Sequence, residues 1–289
     1  MIYVLFSALC SVVVSVILKL ARRYDVDTRQ LIVWNYPVAT LLSWLLLDPV
    51  LAGIHTEALP WTLYLALALL LPGIFLALAA SIRHTGIIRT EVAQRLSLSI
   101  AVLAAFWLFG ETAAIGKLLG IGLGFVAIVC CIGWHHGSGQ QAGGTNGGMW
   151  RYPLVVFVGM GIIDVLFKLV AQHRDIPYTT SMLFVFALAT VAAAGYLIYR
   201  VTAEKKRFDA PAVLWGVVLG VFNFGNILFY MRAHRALPQD PSIVFSAMNI
   251  GVIALGVLVG VLIFREKLTL LNKIGLLLAV LAVLTIAYL

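Results

Sequence analysis

Ten apolar stretches occupy most of this sequence, and almost all of them are long enough to cross a lipid bilayer as a helix. Strands of an outer-membrane barrel would alternate apolar and polar residues over about ten positions, and these stretches do not alternate. We therefore predict ten transmembrane helices, named spans one to ten. They cover residues 2–21, 31–47, 61–82, 90–109, 113–134, 151–171, 179–199, 212–231, 242–264 and 268–289.

The composition agrees with a chain that lies mostly in lipid. Hydrophobic residues make up 62% of the sequence and charged residues 11%, whereas soluble domains carry roughly 45–50% apolar and about 25% charged residues. This balance excludes a soluble enzyme, a nucleic-acid-binding protein and a disordered protein. We predict an all-α polytopic membrane protein, in which the net charge of +8 reflects orientation and contact with anionic lipid.

The sequence also divides into two similar halves. Residues 135–150, HHGSGQQAGGTNGGMW, have the composition of a flexible linker between residues 1–134 and 151–289, which contain five spans each. LFGE at 108–111 is echoed by IFRE at 263–266, and VILKL at 16–20 by VLFKL at 165–169. Because five crossings return the chain on the opposite side, we predict two inverted five-helix repeats, an architecture common among secondary transporters.

These features resemble the EamA-like branch of the drug/metabolite transporter superfamily. The resemblance rests on the five-plus-five spans, the glycine-rich linker and the repeated F-x-E followed by Gly, and it covers essentially the whole chain. The Pro common inside the fourth helix of each repeat in that family is replaced here by Leu98-Ser99 and Gly251-Val252. The resemblance implies export or exchange of small metabolites such as amino acids, sugars or their phosphates, nucleobases or drugs.

Charged side chains inside a span are costly in lipid, so they favour the bundle interior or a water-filled cavity. Asp164 lies in span six with Lys168 one turn later, in the order that suits a helical ion pair. The two either bind a charged or zwitterionic substrate, with Asp164 taking a proton, or form a self-neutralised structural pair. Lys19, the repeat counterpart of Lys168, is a further candidate for the substrate site. It lies near its helix end, where we expect it to snorkel to the membrane surface.

Span four begins with a second group of charged and polar residues on one helix face. Glu91, Gln94 and Arg95 have the spacing i, i+3, i+4, and Glu91 is the simplest partner for Arg95. Glu91 is also a candidate for proton coupling. The alternative is a capped, interfacial helix start without a role in binding.

Amides and hydroxyls form further stripes in the second half. They either coordinate a substrate or hydrogen-bond across helices, which contributes about 0.6–2 kcal/mol each. Asn35 in span two is a weaker candidate of the same kind. The stripes consist of Asn223, Asn226 and Tyr230 in span eight, and of Ser242, Ser246 and Asn249 in span nine.

Small residues and helix breakers predict packing rather than chemistry. GxxxG spacing predicts close helix contacts at Gly116, Gly120 and Gly124, at Gly216 and Gly220, and at Gly256 and Gly260. Pro72-Gly73 predicts a kink or a break in span three. Glu111 and Glu266 lie at helix ends, where we expect each to cap a helix start.

Lys and Arg are divided unequally between the two sets of loops. Fourteen lie in or beside loops that follow odd-numbered spans, against four after even-numbered spans. Because short basic loops tend to stay cytoplasmic, we predict an integral protein of a bacterial cytoplasmic (inner) membrane with both termini outside. Larger relatives within the resembled family are described with both termini in the cytoplasm, which is the alternative.

Motifs for catalysis are absent from the sequence. The zinc-site pattern HExxH, the nucleophile elbow GxSxG and the P-loop do not occur, and the histidines lie in or beside loops. We therefore expect no enzyme activity, no cofactor and no metal. The expected partners are a small-molecule substrate, the lipid bilayer and, as a coupling hypothesis, protons; the oligomeric state is open.

The predicted function is secondary active transport. The chain would export or exchange a small polar or amphipathic metabolite, such as an amino acid, by alternating access. We expect the substrate between the repeats, in contact with spans one, four, six, eight and nine. The alternatives are a multidrug or organic-cation efflux carrier, an intramembrane enzyme and a channel.

Overall fold

The computed structural model describes residues 2–51, 59–109, 115–132, 149–171, 173, 176–205, 207–236 and 241–288. These residues form eleven helices and no strand. In chain order the helices are α1 Ile2–Arg23, α2 Thr28–Leu46, α3 Trp61–Thr85, α4 Ile87–Leu96, α5 Leu98–Phe109, α6 Ile115–Ile132, α7 Arg151–Ala171, α8 Tyr178–Thr202, α9 Ala210–Ala236, α10 Pro241–Leu262 and α11 Leu270–Tyr288.

The helices have the length and composition of membrane spans. In the described part of the chain, α1, α3, α7, α8 and α9 are each long and apolar enough to cross a membrane. Shorter apolar segments lie within α6, α10 and α11. Many large apolar side chains on these helices are exposed on the outside of the bundle, as expected for a surface that faces lipid. The chain is therefore an all-helical protein of the integral membrane type.

The fourth apolar stretch, predicted as one helix over 90–109, is two helices. The first of them, α4, begins earlier, at Ile87, and a turn at Ser97 separates it from α5. The Ser97 hydroxyl donates a hydrogen bond to the Gln94 carbonyl oxygen at 2.6 Å. Ser side chains that bond to nearby carbonyls compete with the helical ladder, which accounts for the interruption. Each of the other stretches coincides with one helix, with small differences at the ends.

Two further predictions concern helix breaks and connections. Of the kink or break predicted at Pro72-Gly73, the break is wrong, because α3 continues through both residues, while the kink stays a prediction. A Pro is tolerated inside a membrane helix where neighbouring groups satisfy the freed backbone carbonyl. Glu111 and nearly all of the glycine-rich linker lie outside the described residues.

Packing between the two halves of the chain follows a reciprocal pattern. Helix α6 packs on α11, α2 on α8 and α4 on α10, so that equivalent helices meet each other. Most of the other main contacts occur twice, with the roles of the two halves exchanged. These pairs of contacts are α2 with α9 and α3 with α8, α1 with α9 and α3 with α7, and α1 with α10 and α4 with α7. The core of the bundle therefore lies between the halves rather than within either of them.

Glycines allow the closest of these approaches, as their spacing predicts. A Cβ atom at Gly216 in α9 would lie 2.5 Å from the Leu31 carbonyl oxygen in α2, and one at Gly220 would lie 2.9 Å from the Asn35 carbonyl oxygen. Both clashes involve backbone atoms, which cannot rotate away. The seam between α2 and α9 thus requires glycine at both positions.

Gly216→Ala should therefore destabilise the protein. We expect a loss of about 1–3 kcal/mol, since an added methyl group must push two helices apart. Thermal unfolding in detergent measures the change. Gly195→Ala in α8 is the matched control, because a Cβ atom at that position would meet nothing within 4 Å and alanine favours a helix. Equal midpoints for the two variants would contradict this account of the seam.

Candidate central cavity

A cavity of about 890 Å³ lies between the two halves of the chain. Its wall reaches from Leu18 near the end of α1 to Ala171 at the end of α7 and Tyr178 at the start of α8. Spans one, four, six, eight and nine, which we expected to contact a substrate, contribute to the wall through α1, α4, α5, α7, α9 and α10. Helices α2, α3 and α8 also line the cavity, which the sequence analysis did not predict.

Most of the wall is apolar, and part of it is adaptable. Unbranched methionine side chains fill irregular spaces and repack around different ligands. Aromatic rings of Tyr36, Phe75, Phe167, Tyr178 and Phe186 add flat apolar surface. Such a wall suits a ligand that is partly apolar. The methionines are Met160, Met182, Met231 and Met248.

The acid–base pair in α4 is present and is held by α1. Arg95 Nη2 lies 3.8 Å from Glu91 Oε2, which confirms the predicted pairing. Ser15 donates a hydrogen bond to Glu91, and Arg95 Nη2 donates to Ser11 Oγ at 2.5 Å. Glu91 is only 1% exposed, while Arg95 is part of the cavity wall. The Arg95 Nε group is buried and has no hydrogen-bond partner among the described residues.

The interruption of span four places a hydroxyl beside the second acid. Ser97 Oγ, in the turn between α4 and α5, lies 3.2 Å from Asp164 Oδ2, so its one hydrogen is shared between this carboxylate and the Gln94 carbonyl oxygen. Asp164 and Lys168 both line the cavity, one helical turn apart on α7. Arg235 at the end of α9 adds another cation. Within the described wall, three cationic side chains (Arg95, Lys168 and Arg235) therefore accompany one carboxylate, that of Asp164.

The amide stripe of α9 both lines the cavity and joins helices. Asn223 Nδ2 donates to Asn35 Oδ1 at 3.1 Å, which ties α9 to α2. Asn226 Oδ1 accepts from Ser7 Oγ at 2.8 Å, which ties α9 to α1. Tyr230 lies on the same stripe, and Asn249 of α10 faces the same space. Of the two roles that the sequence left open, the structure shows the hydrogen bonds between helices for Asn223 and Asn226, and coordination of a substrate stays a prediction.

The predicted site residues divide into three groups. Glu91 lies directly behind Arg95, and Asn35 lies behind Asn223. Lys19 lies at the other end of the bundle, and the side chains of Ser242 and Ser246 are outside the described residues. The predicted residues that line the cavity are Asp164, Lys168, Gln94, Arg95, Asn223, Asn226, Tyr230 and Asn249.

Lys19 forms an ion pair that the sequence did not predict, and its snorkelling to the membrane surface stays a prediction. Its Nζ lies 2.5 Å from Glu266 Oε1 and 4.1 Å from the centre of the Phe264 ring, and its side chain is 24% exposed. Glu266 also accepts hydrogen bonds from the backbone N–H groups of Ile87 at 2.8 Å and Ile88 at 3.2 Å. Glu266 therefore caps a helix start, as predicted, but the helix is α4 in the other half.

A second polar cluster joins the halves at the same end of the bundle. Arg200 of α8 donates to Asp27 Oδ2 at 3.1 Å and to Glu204 Oε2 at 2.8 Å. The backbone N–H of Asp27 donates to Asp209 Oδ2 at 2.6 Å, and Gln30 bridges to the backbone at Asp209. Ion pairs and hydrogen bonds thus hold this end together, away from the part of the cavity near Ala171 and Tyr178.

Sequence reasoning missed the hydroxyls that hold the charged pair. Ser7, Ser11 and Ser15 are spaced four residues apart, which places them on one face of α1. All three are buried, and each bonds to a predicted site residue. This regular spacing in an otherwise apolar helix was the signal available in the sequence.

The chain is similar to known proteins over its whole length. A protein of Haemophilus influenzae, described as uncharacterized, is 37% identical over 292 residues, covering 99% of this chain and 97% of the relative. The chain belongs to the same family as this Haemophilus protein. No family model matches the chain.

The fold has also been seen in a solved structure. A protein crystal structure matches 98% of this chain and 95% of its own chain with a TM-score of 0.60, at 14% sequence identity. This similarity concerns the fold alone. It extends across both halves of the chain.

The buried pair Glu91–Arg95 gives a test of the site's architecture. Glu91→Leu should cost about 3 kcal/mol of stability, because it leaves the Arg95 cation buried without its carboxylate. Glu91→Leu combined with Arg95→Met should recover much of this loss. Unfolding midpoints of the single and double variants measure the coupling. Strictly additive losses would show that the two side chains do not depend on each other.

Proposed function

We propose that this chain is a secondary transporter of the EamA-like type, which binds a small polar or amphipathic metabolite in the central cavity and moves it by alternating access. The observation that carries the proposal is the cavity itself. It has a volume of about 890 Å³, lies between the halves and combines an apolar wall with charged and amide groups. Ligand sites commonly have this size and this mixture of lining groups.

Ten crossings in two inverted repeats are part of the proposal. Ten crossings would place the loops after odd spans on one face and those after even spans on the other. The observed contacts follow this division: Asp27 bonds to Asp209, joining the loops after spans one and seven. On the other face, Thr180 bonds to the Val50 carbonyl oxygen, joining the loops after spans two and six. The reciprocal packing of the halves also supports a pseudo-twofold relation.

Alternating access requires one closed end and one accessible end. The ion pair Lys19–Glu266 joins α1 to the connection between α10 and α11, and it lies at the end opposite Ala171 and Tyr178. Glu266 also holds the start of α4. Since α4 carries Glu91 and Arg95, separation of the two halves at this end would move the charged wall of the cavity. We propose that this movement couples opening to the ligand site.

The charges of the wall indicate the class of substrate. With Glu91 paired behind Arg95, three cationic side chains face two carboxylates, and this excess of one positive charge favours a ligand with a negative group, such as the carboxylate of an amino acid. Arg95 in the cavity wall offers its guanidinium group as a donor, and Asp164 offers an acceptor for an ammonium group. An organic cation would meet an excess of like charge, so the multidrug alternative receives less support. We propose a zwitterionic or anionic metabolite.

Asp164 is our candidate for proton coupling. Its carboxylate faces the cavity and accepts one identified hydrogen bond, from Ser97. Glu91 was the other candidate, but it is buried behind Arg95 and held by Ser15. A proton carrier must be reached by water in at least one state, and Asp164 meets that requirement better.

Counterflow in proteoliposomes tests the function. We expect saturable exchange of a zwitterionic or anionic pool when amino acids, sugars, organic phosphates and cationic dyes are compared. Arg95→Gln should raise the KM for that pool about tenfold, the loss from one charge-assisted hydrogen bond. Arg207→Gln, an exposed cation outside the wall, is the control. Exchange of cationic dyes alone, or no exchange by folded protein, would contradict the proposal.

Asp164→Asn tests the proton site separately. The variant should lose accumulation driven by a pH gradient, because an amide cannot take up the coupled proton, while exchange at equal pH continues. Asp48→Asn is the matched control, since Asp48 is exposed in the connection after α2. Substrate accumulation with unchanged pH dependence in the Asp164 variant would assign coupling to another group.

A further inference from the structure

A second cavity, of about 760 Å³, lies at the end of the bundle closed by Lys19 and Glu266. The ends of α1 and α3 and the starts of α2 and α7 meet there. Its wall shares only Leu18 with the central cavity, so it is a separate space. Leu76, Ala79 and Ile82 form part of an apolar floor. We call this space the basic pocket.

The wall of the basic pocket carries a concentrated positive charge. Five cationic side chains line it, and no Asp or Glu does so within the described chain. Glu266 neutralises only Lys19. The four arginines, which are exposed, have no carboxylate within ion-pair distance among the described residues. The cationic residues are Lys19, Arg22, Arg23, Arg29 and Arg83.

Aromatic contacts fix the shape of this wall. His84 of α3 stacks on Tyr152 of α7, with ring centres 4.3 Å apart and planes 10° from parallel. Lys19 is held over the Phe264 ring. Arg83 directly precedes His84. Its side chain therefore extends from the end of α3, which the His84–Tyr152 contact holds against α7. The basic pocket is therefore a concave site with a defined wall, and its cations are not isolated surface charges.

We propose that the basic pocket binds a phosphate-type anion, supplied either by the head group of an anionic phospholipid or by a soluble phosphate ester. Guanidinium groups match phosphate oxygens in geometry as well as in charge. Basic pockets between membrane helices are a known kind of lipid head-group site. An apolar floor beneath the cations would accommodate the start of an acyl chain. The loops at this end are the basic ones, which the positive-inside rule places at the cytoplasmic leaflet, where anionic lipid lies.

Lipid binding by the purified full-length protein tests the proposal without any transport assay, so its outcome is independent of the proposed function. Native mass spectrometry would measure retention of phosphatidylglycerol against phosphatidylcholine. Inorganic phosphate and glycerol phosphate would serve as competitors. The test variant is Arg22→Gln combined with Arg83→Gln. The control is Lys205→Gln combined with Arg207→Gln, two exposed cations near the same end but outside the pocket.

We expect selective binding of phosphatidylglycerol that weakens about 30-fold in the test variant, from the usual contribution of two cations near a membrane surface. The control variant should bind like the wild type. Displacement by glycerol phosphate, or binding of the soluble anions alone, would support the site and assign its source to soluble phosphate esters. Equal losses in both variants, or no preference for a phosphate anion over phosphatidylcholine, would overturn the proposal.

Discussion

One carboxylate, that of Glu266, holds together elements from both halves of the chain. It pairs with Lys19 of α1 and accepts the first backbone N–H groups of α4. Gly86 makes room for this carboxylate: its φ is +90°, and a Cβ at that position would lie 2.7 Å from Glu266 Oε2. Because water is scarce inside a membrane bundle, an uncapped helix start and an unpaired cation would both be costly there. The position of α4, and with it the charged wall of the cavity, depends on this contact.

The interruption of span four connects this end of the bundle to the central cavity. The first N–H groups of α4 bond to Glu266, and the helix ends just before Ser97. There the Ser97 hydroxyl bonds to the Gln94 carbonyl oxygen and also contacts Asp164. Between these two points it presents Arg95 to the cavity, supported by Ser11 and Glu91. A short helix held at both ends can move as a unit. In the proposed mechanism, binding and closure act on the same element, as an alternating-access carrier requires.

Much of the fold was predictable because lipid leaves few choices for a backbone. Long apolar stretches must be helices, and the GxxxG seams followed from their spacing. Three features were beyond this reasoning. The break at Ser97 depends on a side-chain bond rather than on a Pro, and α3 passes through Pro72 despite its Pro. Lys19 pairs with Glu266, which lies 247 residues later in the sequence, and no local sequence pattern indicates a contact between residues so far apart.

The most direct test of alternating access is the accessibility of one cavity residue from the two sides of the membrane. In a background with the three native cysteines replaced, Asn249→Cys would be treated with an impermeant thiol reagent from either face. Asp27→Cys and Arg200→Cys, at an ion pair that lies at the same end as Glu266 and leaves Glu266 in place, would hold that end closed once joined by a short thiol crosslinker. We predict reaction from both faces without the crosslink and from one face with it. Reaction from both faces despite the crosslink, or from one face in every case, would contradict the account.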